Sequence, residues 1–197
     1  MGNYAYLMAG DKYSKSMKYI QLGDMKYSIP ITYLTLCCEV IDIVPSPGYE
    51  EMYKDKKLQI IADAKRGKYK LEELFEYILT RTIIKDNLKF KKLSEFVMKS
   101  LKPHNLYFYL RAVEILGMDL PNTKQNEADL LEKKVKNLTK DLYKIKKLTP
   151  NLILKFYNNN RNFNSPWDIL EDGEHGFEYL LLDIINYKYW KILNYRT

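Results

Sequence analysis

Val44-Pro-Ser-Pro-Gly48 is the strongest punctuation in the chain, and it separates two kinds of hydrophobic pattern. Proline fixes φ and removes a backbone donor, so these residues end the helix before them and mark a loop or subdomain boundary. On its N-terminal side the apolar runs are short. Tyr4 to Ala9 is aromatic and apolar and closes at Gly10-Asp11, which predicts a strand ending in a turn. Met17 to Leu22 and Met25 to Ile29 each alternate, with Gly23-Asp24 between them, so the pair predicts a hairpin. Three such strands make a small antiparallel sheet. Pro30 then suits a first helical turn, and Ile31, Leu34, Cys38 and Ile41 at three- and four-residue spacing predict a helix running to the punctuation.

Beyond Gly48 the chain reads as helical. Glu50 to Ala64 predicts a helix closed by the charged turn Lys65-Arg-Gly-Lys68. Leu71, Leu74, Phe75, Ile78 and Leu79 form one amphipathic stripe, and Phe90, Leu93, Phe96, Val97 and Leu101 another that Pro103 terminates. Asn105 caps a further helix carrying Leu106, Tyr109, Leu110, Val113 and Leu116. The longest helix, 126–148, steps through Leu131, Val135, Leu138, Leu142 and Ile145 in a 4-3-4-3 seam that suits packing against neighbours in a bundle. Thr149-Pro150 restarts a short helix through Phe156, Ser165-Pro-Trp-Asp168 opens another, and Phe177 to Leu193 supplies the last.

Strands followed by helices predict a mainly α member of the α+β class, with a small N-terminal antiparallel sheet packed on a multi-helix body. The 197 residues read as one domain, with the small sheet and first helix in 1–44 and the helical body in 49–197. With 46% apolar residues, a chain of this size buries roughly 70% of its unfolded surface and needs no disulfide or structural metal. The two cysteines, Cys37 and Cys38, are adjacent in an apolar run, so they read as small buried hydrophobes in a reducing compartment. No signal-peptide pattern and no apolar run of spanning length occurs, which predicts a cytoplasmic chain without a membrane partner.

The net charge of +7 comes from 32 basic and 25 acidic residues, and only five of the basic ones are arginine. Arginine is favoured for bidentate phosphate and guanine contacts, so this composition weakens a nucleic-acid reading. Placement is more informative than the sum. Lys133 to Lys155 holds eight lysines and one acid, whereas 162–187 holds Asp168, Glu171, Asp172, Glu174, Glu178 and Asp183 with no lysine or arginine. The chain is electrically two-ended, a pattern that steers partners.

Asp168, Glu171 and Asp172 fall at i, i+3 and i+4, so three carboxylates share a helix face near His175. No metal-ligand spacing or nucleotide-binding motif accompanies them, and a solvated acidic helix start is the favoured reading, with no cofactor or metal. His104 and His175 are of a type that titrates near neutrality, but no catalytic motif surrounds either. Two surfaces remain as binding candidates. Asp168, Glu171, Asp172, Glu174 and Glu178 suit a protein partner. Lys133, Lys136, Lys140, Lys144 and Lys147 suit a phosphate backbone, with Tyr107, Tyr109, Tyr143 and Tyr157 as aromatics for base stacking.

Met1-Gly-Asn-Tyr-Ala-Tyr-Leu7, followed by alternating segments and then Tyr27-Ser-Ile-Pro-Ile-Thr-Tyr-Leu34, resembles the N-termini of uncharacterised bacterial proteins that look like immunity proteins of polymorphic toxin systems. Those proteins open with Met-Ala-Asn-x-x-Tyr-Leu and carry an Ile-Pro-Leu segment shortly afterwards. The resemblance covers about 40 residues, Gly2 replaces the usual Ala, and no functional residue transfers from it. It implies a non-enzymatic protein-binding protein, an immunity or antitoxin-like inhibitor whose partner is a cognate toxin domain. The alternative is a nucleic-acid-binding accessory protein that uses the basic helix. Oligomeric state is not fixed by the sequence.

Overall fold

Tyr107-Phe-Tyr-Leu-Arg111 is a strand, and its place in the chain organises the fold. In the computed structural model, which describes residues 4–10, 20–26, 29–49, 51–81, 87–101, 106–118, 120 and 127–159, eleven elements follow one another. They are β1 (Tyr4–Gly10), β2 (Ile20–Lys26), α1 (Ile31–Leu36), β3 (Val40–Pro45), β4 (Lys57–Asp63), α2 (Ala64–Thr80), α3 (Asn87–Ser100), β5 (Tyr107–Arg111), α4 (Val113–Gly117), α5 (Glu127–Lys147) and α6 (Pro150–Asn159). The strands form one five-stranded antiparallel sheet in the order β2-β1-β5-β4-β3. β5 arrives late in sequence yet sits at the centre, bonded to β1 on one side and β4 on the other.

Alternation along the strands gives the sheet two distinct faces. Ala5, Leu7 and Ala9 of β1, Leu58, Ile60 and Ala62 of β4, and Phe108 and Leu110 of β5 join the main core with Leu71, Leu74 and Phe75 of α2, Phe90 of α3 and the α5 seam. The register matches sizes across this face: Phe108 lies between Ala9 and Ala62, and Leu110 between Leu7 and Ile60. A large ring flanked by two methyl groups fills space that two large neighbours would over-pack.

The expected mainly α body with a small N-terminal sheet is overturned, because three further strands lie in segments that read as helix. Val40–Pro45 replaces the end of the first helix, which closes at Leu36. Lys57–Asp63 replaces most of the helix expected over 50–64. Leu58 to Ala62 is buried at every position, and a short run without alternation has no period to distinguish a central strand from a buried helix. Tyr107–Arg111 replaces the helix expected after Asn105; its three aromatics and buried centre favour the pleated surface. The Val44–Gly48 stretch, read as a boundary, ends β3 and begins its connection to the paired strand β4, where Gly48 takes a positive φ of 84°.

Two local readings change with it. Gly23-Asp24 is not a turn: β2 runs through it and pairs with β1, and the register shift beside Leu7 leaves Leu22 as an extra residue, a bulge that an in-strand glycine accommodates. Lys65 to Lys68 is likewise not a turn but the start of α2, whose N-terminus is capped by Asp63 accepting from the Arg66 N–H at 2.8 Å. The helical stripes over α2 and α5 stand, and that of α3 in part, since Phe96, expected in it, is exposed. Leu71, Leu74, Phe75 and Ile78, then Phe90 and Val97, then Leu131, Val135, Leu138, Leu142 and Ile145 are all buried.

Helix α2 is the hub of the helical layer. Its Lys68 donates to the Leu101 carbonyl beyond α3, and its Lys70 donates to the Leu148 carbonyl beyond α5 at 2.8 Å, so two cations meet the carbonyl ends of two helices. Against α1 it packs through Gly67, where a β-carbon would lie 2.0 Å from the Leu36 carbonyl oxygen. That approach is closed to any other residue without backbone movement. Gly67→Ala is therefore expected to cost roughly 1–3 kcal/mol, the usual range for over-packing. Urea denaturation measures it, and an unchanged midpoint would show that α1 and α2 are free to separate.

Candidate binding surface

The seam of α5 decides which of its residues face solvent. At 100° per residue, Leu131, Val135, Leu138, Leu142 and Ile145 form one buried stripe, and Lys133, Lys136, Lys140, Lys144 and Lys147 fall on the opposite side, all exposed. Over fourteen residues at about 1.5 Å each, the row is about 21 Å long. The sequence offered these five lysines as one basic surface, and the structure brings them into one line.

Local partners tie down part of the row. Lys136 pairs with Glu132 at 3.2 Å, Lys144 with Asp141 at 2.8 Å, and Lys140 reaches the Asn137 side-chain oxygen at 3.4 Å. Exposed pairs of this kind are worth little, so these cations remain available to a partner. No ion pair holds Lys133 or Lys147 among the described residues. Tyr143, 46% exposed, borders the row, and Lys144 lies 5.8 Å from the Phe156 ring centre. Of the aromatics expected to stack bases, Tyr109 is wholly buried in the sheet and Tyr107 is half-buried, so neither is presented to a ligand. The side chain of Tyr157 lies outside the description, as do His104, His175 and the acidic set Asp168, Glu171, Asp172, Glu174 and Glu178.

A cleft of about 670 Å³ opens beside the C-terminal end of α5, lined by Glu39, Asp63, Lys65, Arg66, Tyr69, Lys70, Glu73 and Lys146. Glu39 is its electrostatic centre, pairing with Lys146 at 2.8 Å and with Arg66 at 3.7 Å. Beneath it, burial pushes the Cys38 thiol up to about 12 and raises Cys37 as well, so both stay protonated. Both cysteines are free and fully buried, the role their sequence neighbourhood suggested.

A second assembly was not legible in the sequence. Glu114 of α4 accepts from the Tyr4 N–H at 3.0 Å and from the Tyr49 hydroxyl at 2.8 Å. Arg111 stacks 4.3 Å from the Tyr6 ring centre and donates to the Pro47 carbonyl at 3.1 Å. The rings of Tyr49 and Tyr53 stack with centres 6.0 Å apart, and the Tyr53 hydroxyl donates to Glu127 at the start of α5 at 2.8 Å. Lys56 pairs with Asp129, and the Lys57 N–H reaches Glu132 at 3.3 Å. Together these contacts clamp the β3–β4 connection onto α4 and the first turns of α5. The one early signal is that Arg111, one of five arginines, sits in a tyrosine-rich run; its partners are many tens of residues away in sequence.

The clamp leaves a pocket of about 180 Å³ among Pro45, Ser46, Tyr49, Tyr53, Lys54, Asp55, Lys56 and Leu58. Its walls fix the phenols rather than activate them. Burial, and then the hydrogen bond to Glu127, push the Tyr53 phenol up to about 12, and burial followed by the bond to Glu114 raises Tyr49. No group of acidic, histidine or cysteine side chains able to hold a metal ion occurs among the described residues. No helix among them is long and apolar enough to cross a membrane.

Fold and surface together define a helix-covered antiparallel-sheet domain that presents a lysine row on its longest helix. The family model described as "Domain of unknown function (DUF7822)" matches residues 7–154, and the chain belongs to that family. No curated protein and no solved structure matches the chain.

The phenol shifts carry a sign. A free phenol titrates near pH 10, and the fold favours the neutral form, so the stabilisation is complete below about pH 10 and is lost as pH rises towards 12. Urea midpoints are expected to fall across that window, and less steeply in Tyr53→Phe. Equal slopes in both proteins would mean that the Tyr53–Glu127 contact does not anchor the connection.

Proposed function

We propose that this protein is a non-enzymatic binding protein whose lysine row on α5 engages an acidic protein partner. The observation that carries the reading is the row itself: five exposed lysines in register opposite a fully buried seam, on a helix whose N-terminal turns are clamped by Tyr53 and Lys56. A rigid row of point charges suits electrostatic steering and docking. An inhibitor that occludes a toxin domain in the cytoplasm is the form implied by the N-terminal resemblance. In that form the acidic set Asp168, Glu171, Asp172, Glu174 and Glu178 provides a second, oppositely charged contact surface.

Nucleic acid is the second reading, favoured by the 21 Å scale of the row and by exposed Tyr143 beside it. Against it, α5 contains no arginine. Arginine is the side chain suited to bidentate phosphate contacts.

The test is co-expression with the protein encoded by the gene immediately upstream. The wild-type chain should co-purify with it and neutralise its toxicity. Lys133→Glu/Lys140→Glu/Lys147→Glu should weaken that complex at least about tenfold while changing folding stability by no more than about 1 kcal/mol, as for exposed sites. Retained binding in the triple variant would remove the lysine row from the account. Mixed DNA and RNA at low and moderate salt separate the second reading: tight binding that falls steeply with salt would establish it.

A further inference from the structure

The sheet has two buried faces, and the helices described above account for one of them. On the other, Met8, Val44, Ile61 and Tyr109 are 8%, 8%, 1% and 0% exposed and form a separate apolar cluster, extended by Tyr6 and Tyr107. Every member of this cluster among the described residues is a strand residue, whereas the cluster on the opposite face includes side chains from α1, α2, α3, α5 and α6. Beside it Gln59 is fully buried, and among the described residues neither its amide oxygen and nitrogen nor the buried Arg111 Nε has a hydrogen-bond partner. Gln59 and Arg111 are cross-strand neighbours. A face of this kind requires a cover that brings apolar surface to the centre and polar groups to the edge.

We propose that the cover is the chain's own C-terminal segment, Phe177–Leu193, docked across β1, β5 and β4. Helix α6 is described as far as Asn159, and 160–197 follow it in sequence. Seventeen residues, 160–176, separate α6 from the segment. At about 3.3 Å per residue they can span roughly 55 Å, several times the ~10 Å between packed layers, so the chain can pass from the helical layer around the sheet edge. Phe177, Leu180, Leu181, Ile184 and Tyr187 recur at three- and four-residue spacing, the pattern of one apolar helix face. None of the other segments outside the described residues exceeds nine residues, too short to cover three strands. The segment also lies beyond the residues matched by the family, 7–154.

The docking has an electrostatic consequence. The α5 lysines face away from the sheet on the helical side, and the segment brings its acids, with those just ahead of it, to the opposite side. The two charged ends of the chain are then held apart on a rigid sheet instead of neutralising each other.

Hydrogen exchange read by mass spectrometry on the full chain tests this. In the wild type, peptides from 177–193 should exchange at least about tenfold more slowly than an unstructured chain. Met8→Asp, within the apolar cluster of this face, should abolish that protection while peptides from 127–147 keep theirs. Leu181→Asp, which alters the segment and leaves the sheet untouched, should do the same, so the idea stays testable if Met8→Asp does not fold. Unprotected exchange of 177–193 in the wild type would overturn the proposal. So would protection that persists in either folded variant.

Discussion

The insertion of β5 between β1 and β4 is the constraint on which the rest of the molecule depends. A central strand satisfies its backbone groups on both sides, and here it joins strands that are about a hundred and about fifty residues away in sequence. Closure of such loops is slow and entropically unfavourable, so the side-chain match has to be good. Phe108 between two alanines, Tyr109 between Met8 and Ile61, and Arg111 between Tyr6 and Gln59 supply that match. Without β5 the remaining strands would be two separate hairpins, β1–β2 and β3–β4, each marginal alone.

From this arrangement the functional surface follows by packing. β4 and β5 turn Leu58, Ile60, Phe108 and Leu110 towards the helical layer, and the α5 seam packs into the same core. Once Leu131, Val135, Leu138, Leu142 and Ile145 are committed to that contact, the lysines have only the solvent side left. α4 follows β5 directly, which delivers Glu114 to the end of the sheet where Tyr49 and the N–H of Tyr4 meet it. The clamp and the lysine row are thus two products of one topology.

The parts legible in the sequence were those with a period. The α5 seam and the α2 stripe are found where three-four spacing put them, and the first strand where its aromatic, apolar run before Gly10-Asp11 put it. Short apolar runs without a period were misread: Leu58 to Ala62 is buried on both faces, and Leu106 to Leu116 combines a strand and a short helix that together imitate one longer helix. Gly23-Asp24 and Arg66-Gly67 carry turn chemistry in isolation, yet tertiary structure uses one as a bulge and the other as the close contact of two helices. The lysine row was visible because its spacing is local. The Arg111, Glu114 and tyrosine clamp was not, because no local pattern encodes a contact between residues 65 or 110 positions apart.

The central claim is that Tyr107–Arg111 is the middle strand of a five-stranded sheet and not part of a helix. Interstrand nuclear Overhauser contacts in the full chain test it most directly. The account predicts backbone contacts from Phe108–Leu110 to both Leu7–Ala9 and Ile60–Ala62, in the antiparallel register described. Continuous i to i+3 contacts from residue 106 through 116, with no contact to either strand, would contradict it.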